Sequence, residues 1–170
     1  IRNSLKSNCD FKENPIDLNL LPVLPFRITN KIELIILGQD PTVKNERSRE
    51  SIEYTLNLDK AGSLKAYINQ ICDLLGISFE NIYATNIFKY FYTQPPERTI
   101  HVLHSHLPAN LELLKEELAA YVKVPVIALG LPVLQLLAGE KAQVRDFWSY
   151  NSKTRQCDGK FTFCPAKDNK

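Results

Sequence analysis

Asp40 is the residue of this sequence best placed to do chemistry. It follows the apolar run Leu34-Ile35-Ile36-Leu37 and lies in the turn Gly38-Gln39-Asp40-Pro41-Thr42, between a permissive glycine and a stiff proline. A short apolar run bounded by Gly and Pro reads as a strand buried on both faces, as in a parallel sheet. Open parallel sheets bind ligands just outside the carboxyl ends of their strands. A carboxylate held there is a candidate reactive group. The plain alternative is an Asp-Pro turn leaving the sheet, since both residues favour turns for backbone reasons alone.

Other reactive residue types are less well placed. His101, His104 and His106 suggest a metal site, but only His101 and His104 share a helical face and no Cys or carboxylate partner is evident. A solvated helix start accounts for them, and no metal is expected. Cys9, Cys72, Cys157 and Cys164 are scattered with no C-x-x-C pair, as reduced and mostly packed cysteines would be. Lys141, Arg145, Lys153, Arg155 and Lys160 surround Trp148 and Tyr150, either a DNA-facing surface or a solvated face. The sequence contains no P-loop, no G-x-G-x-x-G and no G-x-S-x-G.

The elements that must position Asp40 follow from periodicity. Residues 1–30, broken by Pro15, Pro22 and Pro25, form a lead-in whose Leu18, Leu20, Leu21, Val23, Leu24 and Phe26 should cover an edge of the core. The first strand is 33–37. Leu64, Ile68, Ile71, Cys72 and Leu75 recur at helical spacing, with Gly76 as the stop. The second strand is Asn81 to Thr85, ending at Asn86, and an irregular aromatic stretch runs from Phe88 to Pro96. A helix follows with the stripe Leu107, Leu111, Leu114, Leu118 and Val122, while Glu112, Lys115, Glu116 and Glu117 should face solvent. The third strand is Val124 to Leu129, and Gly130 turns into a helix with Pro132 in its first turn. A fourth strand is expected over Lys160 to Cys164. Alternating strands and helices imply a parallel sheet with helices on both faces.

Composition sets the bounds. At 170 residues and 44% hydrophobic, one globular domain over 1–170 with a substantial core is expected. No apolar stretch reaches the length of a membrane span, and the polar start at Arg2, Asn3 and Ser4 does not resemble a signal peptide. A cytoplasmic location without membrane contact follows as the expectation. The net charge of +2 permits nucleic-acid binding without arguing for it. Met is absent throughout, and no closing element precedes Lys170, which suits a trimmed chain.

The motifs taken together resemble the uracil-DNA glycosylase superfamily. Gly38-Gln39-Asp40-Pro41 is similar to its first motif, typically GQDPYH, and Ile52-Glu53-Tyr54-Thr55-Leu56 lies where those enzymes carry an aromatic that stacks on the flipped base. Gly62-Ser63-Leu64 resembles the segment that comes next. Asn81-Ile82-Tyr83-Ala84-Thr85-Asn86-Ile87-Phe88-Lys89, with Pro95-Pro96 after it, is similar to the TNVVKxxPP stretch of the iron–sulfur branch. Val126-Ile127-Ala128-Leu129-Gly130 and Leu136-Leu137-Ala138-Gly139 are similar to its VALG and ALLG segments. The resemblance spans Ile32 to Gly139.

The resemblance implies a three-layer fold with a central four-stranded parallel sheet of order 2-1-3-4. It also implies hydrolysis of the N-glycosidic bond of a deaminated base, uracil or a relative, in DNA repair by base excision. The partner would be DNA, single- or double-stranded, and the protein a monomer. Asp40 would stabilise positive charge on the sugar and orient a water. Asn86 would read the base edge, because an amide offers donor and acceptor together. Tyr54 would stack on the base, Gln39 would present its backbone to it, and Pro41 and Thr42 would line the base pocket with them. A non-catalytic domain binding a nucleobase, a nucleic acid or a protein is the alternative on the same scaffold.

Three departures qualify it. Thr42 replaces the tyrosine that excludes thymine's methyl group, and Val43 replaces the histidine of the motif, so strict uracil selectivity is not expected. Tyr90 stands in a cluster-cysteine place, and one Cys near the start cannot form a pair, so no iron–sulfur cluster and no other cofactor is expected. The histidine-bearing HPS-like loop expected after Phe161-Thr162-Phe163-Cys164-Pro165 is replaced by Ala166 to Lys170. Either that loop lies beyond Lys170 or the chain lacks it.

Overall fold

A computed structural model describes residues 12–96, 99–139 and 141–144, together with the backbone of the strands Trp148–Asn151 and Gln156–Phe161. The chain divides into two compact units, Ile1–Ile127 and Ala128–Lys170.

Strand β2, Leu34–Gly38, and strand β3, Ile82–Asn86, are buried at every residue; β2 accordingly reads as an unbroken apolar run, while β3 ends in the buried polar residues Thr85 and Asn86. They pair in parallel from Leu34↔Ile82 to Gly38↔Asn86. Burying Leu34, Ile35, Ile36 and Ile82, none more than 1% exposed, contributes roughly 1.5–3 kcal/mol per side chain. The ladder continues past the strand ends, with Ile87 N–H donating to Gly38 O at 3.0 Å and Phe88 N–H to Gln39 O at 2.9 Å. The turn bearing Asp40 therefore leaves a fixed edge.

The expected all-parallel sheet of order 2-1-3-4 is corrected. The sheet is mixed, with order β1-β3-β2-β4. Strand β1 is the two-residue Phe26–Arg27 of the lead-in, and strand β4 is Val126–Ala128. β1 pairs antiparallel with β3 through Phe26↔Ala84 and Arg27↔Tyr83. The fourth expected strand overlaps β6, Gln156–Phe161, only at Lys160 and Phe161, and the rest of it lies outside the described residues. β6 pairs antiparallel with β5, Trp148–Asn151, in a separate two-stranded sheet. Residues near in sequence close a hairpin at less entropic cost than a crossover to a distant sheet edge.

Helix α1 is the short Glu46–Arg49. Helix α2, Ser63–Leu75, buries Ile68, Ile71 and Cys72, and Leu64 is more exposed than its spacing implied. Gly76 ends it at φ 67°, the left-handed region that glycine enters without strain, and Ile77 N–H closes the cap on Cys72 O at 2.9 Å. Burial and the neighbouring Asp73 push the Cys72 thiol up, so this cysteine is inert packing.

Helix α3, Ile100–Leu118, corrects two expectations. It ends in a 3₁₀ turn, Ala119–Tyr121, and the broken period leaves Val122 85% exposed rather than on the stripe. Glu117 lies three residues after Leu114, on the stripe itself, and does not face solvent. Its Oε1 accepts from Tyr83 Oη and Thr85 Oγ1, both at 2.7 Å, and its Oε2 meets Lys89 Nζ at 2.5 Å. Lys89 also donates to Thr85 Oγ1.

The lead-in covers less than expected. Val23 and Phe26 are buried, but Leu18, Leu21 and Leu24 are 38%, 81% and 50% exposed. The segment bends over 18–20 and follows no single alternation, so its leucines do not share one inward face. Ile16 and Asn14 anchor it instead. Ile16 bridges Tyr92, and the Asn14 amide makes four hydrogen bonds, donating to Gln94 O and Thr99 Oγ1 and accepting from Thr93 Oγ1 and Gln94 N–H.

In the second unit, Gly130 precedes helix α4, Leu131–Ala138, with Pro132 in its first turn as the sequence implies. Of the basic run, Lys141 is exposed; Arg145, Lys153 and Arg155 lie outside the described residues, as do Cys9 and Cys164. No helix among the described residues is long and apolar enough to cross a membrane.

Candidate functional site

The carboxyl ends of β2 and β3 lie side by side, and their side chains meet there. In-register residues of a parallel pair project to the same side, so Asn86 leans over Gly38. A Cβ on Gly38 would stand 2.3 Å from Asn86 Oδ1 and 3.1 Å from Leu56 Cδ2. Glycine is required here for close approach: any larger residue would collide with the amide.

The Asn86 amide is the most unusual polar group of the site. The residue is 1% exposed, yet neither Oδ1 nor Nδ2 has a hydrogen-bond partner among the described residues. An unmet buried polar group costs about 1–3 kcal/mol. Asn14, 2% exposed and fully bonded, shows how a structural asparagine of this same chain is satisfied. Asn86 instead presents a donor and an acceptor side by side.

Asp40 lies in the turn beyond β2, half-buried, with Pro41 buried after it. Its Oδ2 accepts from Gln39 Nε2 and its Oδ1 from Thr42 N–H, each at 2.8 Å. The second bond is an Asx turn, the arrangement of the plain alternative. It also fixes the carboxylate, and each oxygen has two acceptor positions. Gln39 gives its carbonyl to Phe88 N–H, and its side chain rather than its backbone reaches Asp40.

Thr42 Oγ1 accepts from Tyr92 N–H at 2.8 Å, so its hydroxyl ties the turn to the aromatic segment. Arg49, 4% exposed, completes that attachment. Its Nε donates to Val43 O at 2.9 Å, and its Nη1 to Tyr92 O at 3.2 Å and Thr93 O at 2.9 Å. Tyr54, half-buried, precedes the 3₁₀ turn Thr55–Asn57 and bridges Leu24. Two residues further on, Leu56 lies against Gly38.

Behind the turn lies a hydrogen-bonded aromatic cluster. Tyr92 Oη is 3.1 Å from His106 Nδ1, and Asn110 Nδ2 donates to Tyr90 Oη at 2.8 Å. The Tyr90 and Tyr92 rings meet edge-on at 5.5 Å, and the Tyr92 and His106 rings stack at 6.0 Å. The place of the expected absent cluster cysteine is thus filled by packed, hydrogen-bonded rings. His101 points elsewhere, to Glu13 at 2.7 Å, and no three metal-binding side chains converge among the described residues.

Burial acts first on both phenols; the bonds from Asn110 and Tyr92 then lower Tyr90, the phenol of Tyr90 raises Tyr92, and the charge of Asp40 raises both. Tyr90 is pushed up to about 12, first by burial. Tyr92 is raised, again chiefly by burial, and Tyr83 by burial and its bond to Glu117. An unfolded tyrosine ionises near pH 10, so the folded chain keeps protons that the unfolded chain releases. Their contribution is complete below about pH 10 and is lost as pH rises through the folded values. Lys89, lowered first by burial, works in the opposite direction: stability rises with pH between its folded and ordinary values. Three phenols against one ammonium predict a net fall above about pH 10. Urea midpoints at pH 8 and pH 11 check this, and equal midpoints would overturn it.

Leu56, Arg49 and Tyr92 were not among the site residues read from the sequence. Leu56 and Arg49 carry no local signal, because a leucine is not expected in a left-handed turn and an arginine among carboxylates reads as a surface residue. Among known proteins, no family model matches the chain and no curated protein matches it.

Proposed function

We propose that the chain is a uracil-DNA-glycosylase-like protein that receives a flipped-out deaminated base at the ends of β2 and β3 and hydrolyses its N-glycosidic bond. The observation that carries this reading is the buried Asn86 amide, whose donor and acceptor match the adjacent carbonyl and N–H of a uracil-type edge. Asp40, fixed by Gln39 and Thr42, stabilises the sugar cation and orients the attacking water. Tyr54 supplies the stacking ring. DNA as the partner, a monomer as the acting form and a cytoplasmic location belong to the same proposal.

Binding without hydrolysis is the second reading. Its specific support is that both Asp40 oxygens accept hydrogen bonds from neighbouring groups, as a turn aspartate would.

Oligonucleotides bearing uracil, hypoxanthine or xanthine test both. The expected result is binding and base release for at least one of them, with both lost in Asn86→Ala. Gly38→Ala should also lose binding, because its methyl group must displace the amide, at a stability cost of about 1–3 kcal/mol. Binding without release selects the second reading. Equal behaviour of the native protein and Asn86→Ala would sink the site assignment.

A further inference from the structure

We infer that Leu56 is a further residue of this site, the cover of the Asn86 amide, and that a ligand reaches the amide only when the Leu56–Asn57 turn swings aside. The inference rests on the reading of Asn86 as a ligand-binding group.

Leu56 has φ 59° and ψ 12°, and Asn57 follows at φ 55°. Two successive non-glycine residues in the left-handed region are strained, the leucine more than the asparagine. The strain is imposed between fixed points. Thr55, 0% exposed, gives its N–H and Oγ1 to Leu24 O, at 2.8 and 3.1 Å, and Leu58 is 0% exposed on the other side. What the strained backbone achieves is placement: Leu56 Cδ2 and Asn86 Oδ1 crowd the same point above Gly38.

An aliphatic cover excludes water from the amide while offering it no hydrogen bond. Asn57 Oδ1 is likewise buried without a partner among the described residues, so the turn carries a second unmet polar atom. Both costs disappear when the turn opens and the amide meets a planar heterocycle with adjacent carbonyl and N–H. Leu56 therefore controls access, and the apparent affinity is reduced by the fraction of molecules in which the turn is closed.

Leu56→Gly tests this, because glycine adopts a positive φ freely and has no side chain to cover the amide. Leu56→Ala is the second variant, keeping Cβ but not the reach of Cδ2. The first measurement is hydrogen exchange of the Asn86 Nδ2 protons by NMR on the protein alone. Exchange should be slow in the native chain and about tenfold or more faster in both variants. The second is association of a single-stranded oligonucleotide carrying one uracil, which should quicken by a similar factor. Unchanged exchange in both variants would overturn the cover, even if the oligonucleotide binds. Faster exchange with no oligonucleotide binding by any form would uphold the cover and defeat the base reading, so the two failures are distinct.

Discussion

Asp40→Asn is expected to lower base release about 100-fold or more while leaving the fold and base binding in place. The substitution keeps the size of the side chain. An Asn oxygen still accepts from Thr42 N–H, preserving the Asx turn, and the Gln39 amide can rotate to offer its oxygen to the new Nδ2. What disappears is the negative charge, and only the reacting sugar requires it. Electrostatic stabilisation acts on charge that develops in the transition state, so release should fall while binding holds. Single-turnover release from the oligonucleotide bound best measures it. Unchanged release would show Asp40 to be a turn residue.

The second large effect lies away from the site. Glu117→Leu is expected to destabilise the protein by about 3 kcal/mol, the range for removing one partner of a buried ion pair. The pair is well shielded, with side chains 13% and 17% exposed, and Glu117 also accepts from Tyr83 and Thr85. Its removal leaves Lys89 charged beside two hydroxyls that have lost their acceptor. Adding Lys89→Met should recover part of the loss, since the unpaired charge is then gone. Glu117→Gln should cost less, because its oxygen still serves the hydroxyls. Urea midpoints of the four proteins settle the order. A loss below about 0.5 kcal/mol for Glu117→Leu would place the pair with ordinary surface salt bridges.

Much of the fold was legible where burial on both faces writes itself as continuous apolar sequence. Leu34 to Gly38 forms the strand that such a run implies, Ile82 to Asn86 forms the second expected strand although Thr85 and Asn86 break its apolar run, and Gly76 and Pro132 punctuate their helices as backbone preferences require. The short edge strand Phe26–Arg27 was not legible, since two residues carry no periodicity. Nor was the pairing of β6 with β5, because strand propensity does not identify a strand's partner.

The candidate site divides in the same way. That Asp40 and Asn86 stand at strand ends is a local property of the chain, written in the glycine–proline turn after Leu37 and in the end of the Ile82–Asn86 strand. It takes the folded contacts to bring Asn86 over Gly38 unbonded, to join Thr42 to Tyr92, and to set a strained Leu56 on the same glycine. These contacts join residues as much as 50 positions apart. Hydrogen-bond satisfaction depends on what surrounds an atom in space, and no spacing along the chain encodes it.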